Sequence, residues 1–333
     1  MDILFIGGTG NISSACAALL AERGHDVSVV TRGQRPIPPA CKAIQANRYE
    51  AGSMENALRD RTFDTVINFL GFHISDIELD LNIFAGKIAQ YIFISSATVY
   101  EKPVRSLPIT ETTVQDNPFS AYARNKQDCE ELLIQTHADS NFPVTIVRPS
   151  HTYSHQWIPN VVASGDYTVV QRMKKSRPVF IPDDGQSLWT LTHSADFAVG
   201  LAGLVGLDEA VGEAFHITGD QVLTWNQIYA EVASAFDIES PNLVHIPTDE
   251  ICEAATSLTP KLKGDKSEHA VFDNAKIKRF VPDFDCRTTF RQGIRMSAQW
   301  YHDHPEACVR DTATDAVHDK VIAAWADKTG RNF

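Results

Sequence analysis

The chain has 333 residues with 43% hydrophobic content, enough to bury a large core and to form two closely joined lobes. Its 42 acidic residues against 30 basic ones give a formal charge of −12, which repels polyphosphate surfaces and argues against nucleic acid as a partner. No apolar run approaches the roughly 20 residues needed to cross a bilayer, and Met1-Asp-Ile-Leu-Phe-Ile6 enters an apolar strand at once without a basic leader, so no membrane contact and a cytoplasmic location are expected.

In chain order, β-branched runs over Ile3–Ile6, Val27–Val30, Thr65–Asn68, Tyr91–Ser95 and Val144–Val147 alternate with segments of helical spacing. The first such segment carries Ile12, Cys16, Leu19 and Leu20 and is closed by Gly24. This alternation predicts βαβ units and a Rossmann-type, doubly wound parallel sheet, an α/β fold. Beyond Pro149, prolines and aromatic residues concentrate, predicting a smaller C-terminal substrate lobe. The expected division is residues 1–150 and 151–333, with segments near 190–218 returning to the first domain. Phe215–Ile217 reads as a further strand, and Thr224 as the start of an amphipathic helix.

Between the first strand and the first helix lies Gly7-Gly8-Thr9-Gly10-Asn11-Ile12-Ser13. Glycines there let the backbone turn sharply and bring a pyrophosphate to the helix N-terminus, so Gly7, Thr9, Gly10, Asn11 and Ile12 are the expected dinucleotide cradle. Ser13 stands where the third glycine of the usual spacing would close helix against strand, and a small side chain is expected to fit. The second strand ends in Arg32 and Arg35 rather than an acidic residue, which suits the 2′-phosphate of NADP, so NADP is favoured over NAD. By position, Glu50 is expected to accept from the adenine amino group, and Leu70 and Gly71 to line the adenine or ribose.

The fifth strand ends in Ser95-Ser96-Ala97-Thr98-Val99-Tyr100, and Tyr122 and Lys126 follow at helical i, i+4 spacing. On one helix face the ammonium is expected to depress the tyrosine pKa, while Ser96 at the carboxyl edge of the sheet hydrogen-bonds the substrate oxygen. The six cysteines are scattered without a CxxC pair, and His302 and His304 lack a third ligand nearby, so no metal is expected.

Together, Gly7–Ser13, Ser96–Tyr100, Tyr122–Lys126, Arg148-Pro149 and Thr192–Asp196 resemble the extended short-chain dehydrogenase/reductase family, which contains nucleotide-sugar epimerases and dehydratases. The resemblance implies Tyr122 as general acid/base, Lys126 on the nicotinamide ribose, Ser96 orienting the reacting group and Pro149 near the carboxamide. It also implies a homodimer built from the helix carrying Tyr122 and the one around 74–89, with Leu132, Leu133 and Ile134 as candidate contacts. Ala97 and Thr98 replace the acidic pair of the dehydratases. His151 and Trp189 stand where sugar-nucleotide members offer an asparagine and an arginine to the diphosphate, which counts against a UDP-sugar. His151, Trp157 and Trp189 are instead candidates to line a pocket for a small sugar or polyol, and His193 is expected to be structural. Three functions follow: an oxidoreductase or epimerase with tightly held cofactor, a simple NADP-dependent ketoreductase or dehydrogenase, or a non-catalytic binding protein on the same fold.

Overall fold

The short β-branched runs form strands buried along their length, with helices returning the chain across both faces. Residues 1–162 and 165–333 are described by the computed structural model. The first half holds β1 (Asp2–Ile6), α1 (Ser13–Glu22), β2 (Asp26–Thr31), β3 (Lys42–Gln45), α2 (Ser53–Leu58), β4 (Thr65–Asn68), α3 (Ile74–Phe84), β5 (Gln90–Ile94), α4 (Ala121–Ser140) and β6 (Val144–Pro149). Then come β7 (His151–Tyr153), α5 (Thr168–Lys174), β8 (Val179–Pro182), β9 (Leu188–His193), α6 (Ser194–Leu204), β10 (Ala214–Ile217), β11 (Val222–Thr224), α7 (Trp225–Ala235) and β12 (Leu243–Ile246). Further helices include Ala275–Phe280, Phe290–Asp303 and Thr312–Thr329.

The central sheet has seven strands in the order β10-β6-β5-β4-β1-β2-β3, every pair parallel. The order reverses between β1 and β4, where open α/β sheets leave a crevice at their carboxyl ends. One face is covered by α1 and α6 through Cys16, Leu20, Phe197 and Leu201. The other is covered by α3 and α4 through Ile77, Phe84, Cys129 and Leu133. Leu133 is therefore sheet-facing core, whereas Ile134 is 51% exposed on the outer face of α4.

The strand expected over Phe215–Ile217 is β10, at the sheet edge beside β6, and α6 packs on α1. The helix Ala275–Phe280 returns to this half as well, through Ile277, Val281 and Phe284; nothing in its spacing distinguishes it from the second lobe. The second lobe is built on β7, β9 and β11, on the parallel pair β8 and β12, and on a core containing Trp189, Trp225, Tyr229 and Phe180. Its α7 begins at Thr224, whose side chain caps the helix in a reciprocal pair with Gln227. No helix among the described residues is long and apolar enough to cross a membrane.

Candidate active site

At the end of β1 the chain turns at Gly7, with φ +89°, a conformation that side chains resist. A Cβ at Gly7 would lie 2.5 Å from Leu70 Cγ, and one at Gly8 would lie 2.8 Å from both methyls of Val29. Both positions need glycine for close approach. Ser13, in place of a third glycine, accepts a hydrogen bond from the Gly10 amide at 2.9 Å and so fastens the turn to the start of α1.

The turn opens onto a groove of about 640 Å³ along the sheet edge, bounded by Gly7, Thr9, Gly10, Asn11 and Ile12 at one end. Arg32 and Arg35 line it after β2, Leu70 after β4, and Tyr122 beside Trp157 at its other end. After β3 the lining residues are Asn47, Arg48 and Tyr49. Glu50 lies outside that lining and instead accepts from Asn47 Nδ2 at 2.9 Å, so the turn after β3 presents Asn47 where Glu50 was expected. Gly71 is likewise set back. A Cβ there would lie 2.8 Å from the Phe93 ring, and its carbonyl accepts from Lys126 Nζ at 2.7 Å. The shape, the glycine closeness and the two free-standing arginines fit a dinucleotide. So does Asn11, which donates to the Thr152 carbonyl at 3.0 Å while its buried Oδ1 has no partner among the described residues.

Ser96 follows β5 and caps a single 3-10 turn, Ala97–Val99. Its Oγ accepts from Thr98 Oγ1 at 2.9 Å and from the Thr98 amide at 3.3 Å. With its acceptor sites spent on Thr98, the serine hydroxyl has its own proton to give. Thr98 is thus a supporting residue that sequence reasoning registered only as the loss of an acidic side chain. Asn117 holds the same turn by donating to the Thr98 carbonyl at 2.7 Å and to the Gly264 carbonyl at 2.8 Å.

α4 starts at Ser120, which caps the amide of Ala123, and carries Tyr122 and Lys126 on one face. Lys126 is 1% exposed and donates to the Gly71 and Ile94 carbonyls at 2.7 and 2.8 Å, beneath the rings of Phe72 and Phe93. It lies 6.0 Å from the Tyr122 ring centre, and burial pulls its pKa down to about 8. Tyr122 departs from expectation. Although the side chain is 44% exposed, desolvation at its hydroxyl raises its pKa above the ordinary phenol value, the nearby Ser96 side chain lowers it only in part, and Asp265 raises it further. The ammonium that was expected to depress the tyrosine is drawn past it to the Gly71 and Ile94 carbonyls.

Beyond Ser96 lies a smaller cavity of about 190 Å³, lined by Ser96, Thr98, Pro149, His151 and Trp157. Asn11, Ile12 and Trp157 border both this cavity and the groove, so the two are continuous. Trp157 packs closely on Gly165, where a Cβ would overlap its ring. His151 Nδ1 accepts from Lys266 Nζ at 3.0 Å, and burial, reinforced by Lys266, holds the imidazole neutral well below its ordinary pKa. Trp189 does not face the cavity. It is 1% exposed in the second lobe's core, edge-on to His151 at 5.9 Å, with Lys266 Nζ 4.3 Å above its ring. Two lysines that sequence reasoning did not single out, Lys102 and Lys266, complete the lining together with Asp265; no local motif marks them. His193 caps α6 through its Nδ1, 3.3 Å from the Ala195 amide. His304 stacks on Trp300 at 4.5 Å.

A model of the NAD dependent epimerase/dehydratase family matches residues 3–85 and 78–217. The 2′-dehydrokanamycin reductase of Streptomyces kanamyceticus is 27% identical over 292 residues, covering 86% of this chain and 81% of that protein. The chloroplast stem-loop binding protein of 41 kDa b of Arabidopsis thaliana is 27% identical over 258 residues, covering 73% of this chain and 65% of that protein. The UDP-glucuronic acid 4-epimerase of Bacillus cereus, solved with UDP-glucuronic acid and NAD, superposes with a TM-score of 0.73 at 17% identity, over 91% of this chain and all of that one.

Proposed function

The chain belongs to the NAD dependent epimerase/dehydratase family, and from that premise we propose that it is an NAD(P)-dependent oxidoreductase or epimerase acting on a hydroxyl or ketone of a small sugar-like substrate. The observation that carries this reading is the position of Ser96 and Tyr122, which meet where the groove opens into the smaller cavity. A nicotinamide cofactor in the groove supplies or takes up the hydride.

The chain's own residues bind, orient and move a proton. The turn Gly7–Ser13 receives the pyrophosphate at the start of α1. Arg32 and Arg35 offer planar forks to a 2′-phosphate, which favours NADP. Asn47 and Tyr49 are placed for the adenine end, and Pro149 for the nicotinamide end. Lys126, with two of its three donors on the Gly71 and Ile94 carbonyls, has one left for a ribose hydroxyl. Ser96 donates to the substrate oxygen and Tyr122 passes a proton to or from it.

A net reductase, in which the Tyr122 phenol gives its proton to the oxygen of a ketone, is the second reading. The name of the Streptomyces relative supports the same direction. A binding protein without chemistry, which the name of the chloroplast relative brings forward, is countered by the retained Ser96, Tyr122 and Lys126 and by the formal charge of −12. A homodimer through α3 and α4 is supported by the exposed side chains of Ile74, Phe119 and Ile134.

The deciding experiment identifies any nucleotide released from freshly purified protein and compares wild type with Tyr122→Phe. A stoichiometric dinucleotide supports the epimerase cycle and an empty site the exchanging reductase. Loss of the phenol should lower kcat on the order of 10²- to 10⁴-fold while nucleotide binding persists. Unchanged turnover would remove Tyr122 from the mechanism.

A further inference from the structure

The smaller cavity is lined by a lysine whose ammonium has no hydrogen-bond or ion-pair partner among the described residues. Lys102 lies six residues beyond Ser96 on the segment that leaves β5, is 7% exposed, and lines the cavity opposite His151 and Trp157. Its backbone amide donates to the Asp116 carbonyl at 3.0 Å. Among the described residues its ammonium makes no hydrogen bond and no ion pair; only the longer-range fields of Asp265 and Glu268 favour its charge. Burial, the larger effect, pushes its pKa below the ordinary lysine value.

The neighbouring lysine differs in this respect. Lys266 is ion-paired with Asp265 Oδ2 at 2.9 Å, donates to His151 Nδ1 at 3.0 Å, and lies 4.3 Å above the Trp189 ring. Its three protons are thereby directed at protein groups and its charge is balanced by Asp265. Glu268 is also engaged, accepting from the Val104 amide at 3.0 Å. His151 is neutral. Lys102 therefore presents an ammonium whose three donors are unspent among the described residues, on the same cavity as Ser96. An unpaired buried ammonium is destabilising, and a ligand oxyanion is the partner that its geometry and charge accept.

Resting on the reading of Ser96 and Tyr122 as the place of the reacting oxygen, we propose that the substrate is a compact polyol bearing one oxyanion, a carboxylate or a phosphate, which seats on Lys102. The volume of about 190 Å³ is below the roughly 300–1,000 Å³ of pockets for drug-sized ligands, so it suits a single sugar-sized molecule. Lys102 is on this view the residue that selects the substrate, while Ser96 and Tyr122 act on it.

The test uses the full chain with its nucleotide bound and three probes built on one hexose ring, glucose, glucuronate and glucose 6-phosphate, followed by calorimetry. One or both acids should bind about ten- to a hundred-fold more tightly than glucose, the strength of charge-assisted hydrogen bonds. The acid that gains more identifies the oxyanion as carboxylate or phosphate. Lys102→Met should abolish the preference and leave glucose unaffected, and Lys102→Arg should keep it. In turnover the loss should appear in KM and not in kcat. If Lys102→Met does not fold, reductive methylation of the wild-type protein, mapped by peptide mass, should show Lys102 protected by the acid and not by glucose. Equal responses to all three probes, including no response to any, overturn the proposal, as does a preference that survives in Lys102→Met. The underlying catalytic reading fails separately, on nucleotide content and Tyr122→Phe turnover, neither of which depends on which probe binds.

Discussion

Glu130 and Arg148 lock α4 to the sheet, and cutting that lock should be costly. Glu130, on α4 one turn after Lys126, is fully buried, and Arg148, near the end of β6, is 3% exposed. The two are joined by paired bonds, Nε to Oε1 at 3.0 Å and NH2 to Oε2 at 2.6 Å. The remaining guanidinium nitrogen donates to the Tyr100 hydroxyl at 2.8 Å and to the Glu111 carbonyl at 2.9 Å. One guanidinium thus ties together α4, β6 and the segment after Ser96. Glu130→Met removes the counter-charge and strands a buried guanidinium, at a cost of about 3–5 kcal/mol. With an unfolding entropy of about 2.1 cal/mol/K per residue over 333 residues, that corresponds to a Tm lowered by about 4–7 °C. Replacing both residues by Met should recover most of the loss, because no charge is left buried, while Tyr100 still has His216 as a partner. Denaturant and thermal melts of both singles and the double measure this. A Glu130→Met cost below about 1 kcal/mol, or a double variant no more stable than Glu130→Met, would refute the account.

Three more outcomes follow from the same geometry. Arg32→Ala combined with Arg35→Ala should weaken NADP binding about ten- to a hundred-fold and leave NAD nearly unaffected, as read by nucleotide titration; equal loss for both nucleotides would remove the 2′-phosphate assignment. Gly8→Ala drives a methyl to 2.8 Å from both Val29 methyls, so it should cost about 1–3 kcal/mol and reduce nucleotide content; a melt indistinguishable from wild type would mean the turn can relax. Burial pushes His216 down to about 4 against the upward pull of Glu111, so between that value and 6.5 the unfolded chain binds more protons. Stability present above this window should therefore fall as pH falls through it, and His216→Gln should flatten the fall. Asp80, held up to about 6 by burial, works in the opposite sense in both proteins and cancels in the difference. Identical pH dependence in the two proteins would exclude His216.

The main features of the nucleotide half were legible in the residue order because each rests on a local rule. Alternating β-branched runs and 3.6-residue spacing specify parallel strands and covering helices. A turn that admits no Cβ at Gly7 or Gly8 must be glycine wherever it folds, and i, i+4 spacing puts Tyr122 and Lys126 on one face. Spacing does not say where a long side chain ends. Lys126 finds the Gly71 and Ile94 carbonyls, which β4 and β5 bring to it, and the Tyr122 pKa is raised rather than depressed.

The remaining departures have the same origin. Glu50 turns to Asn47 instead of the groove, and Trp189 sinks into the second lobe's core behind His151, because a loop's side-chain directions depend on what packs against it. Lys102, Asp265 and Lys266 belong to no motif and meet only when the second lobe closes over the end of β5. The sequence by itself determined the sheet, the glycine turn after β1 and the shared helix face of Tyr122 and Lys126, since these depend on neighbours along the chain. Only the tertiary structure decided the charge of the substrate cavity, because it sums contributions from segments that are distant in the chain and near in space.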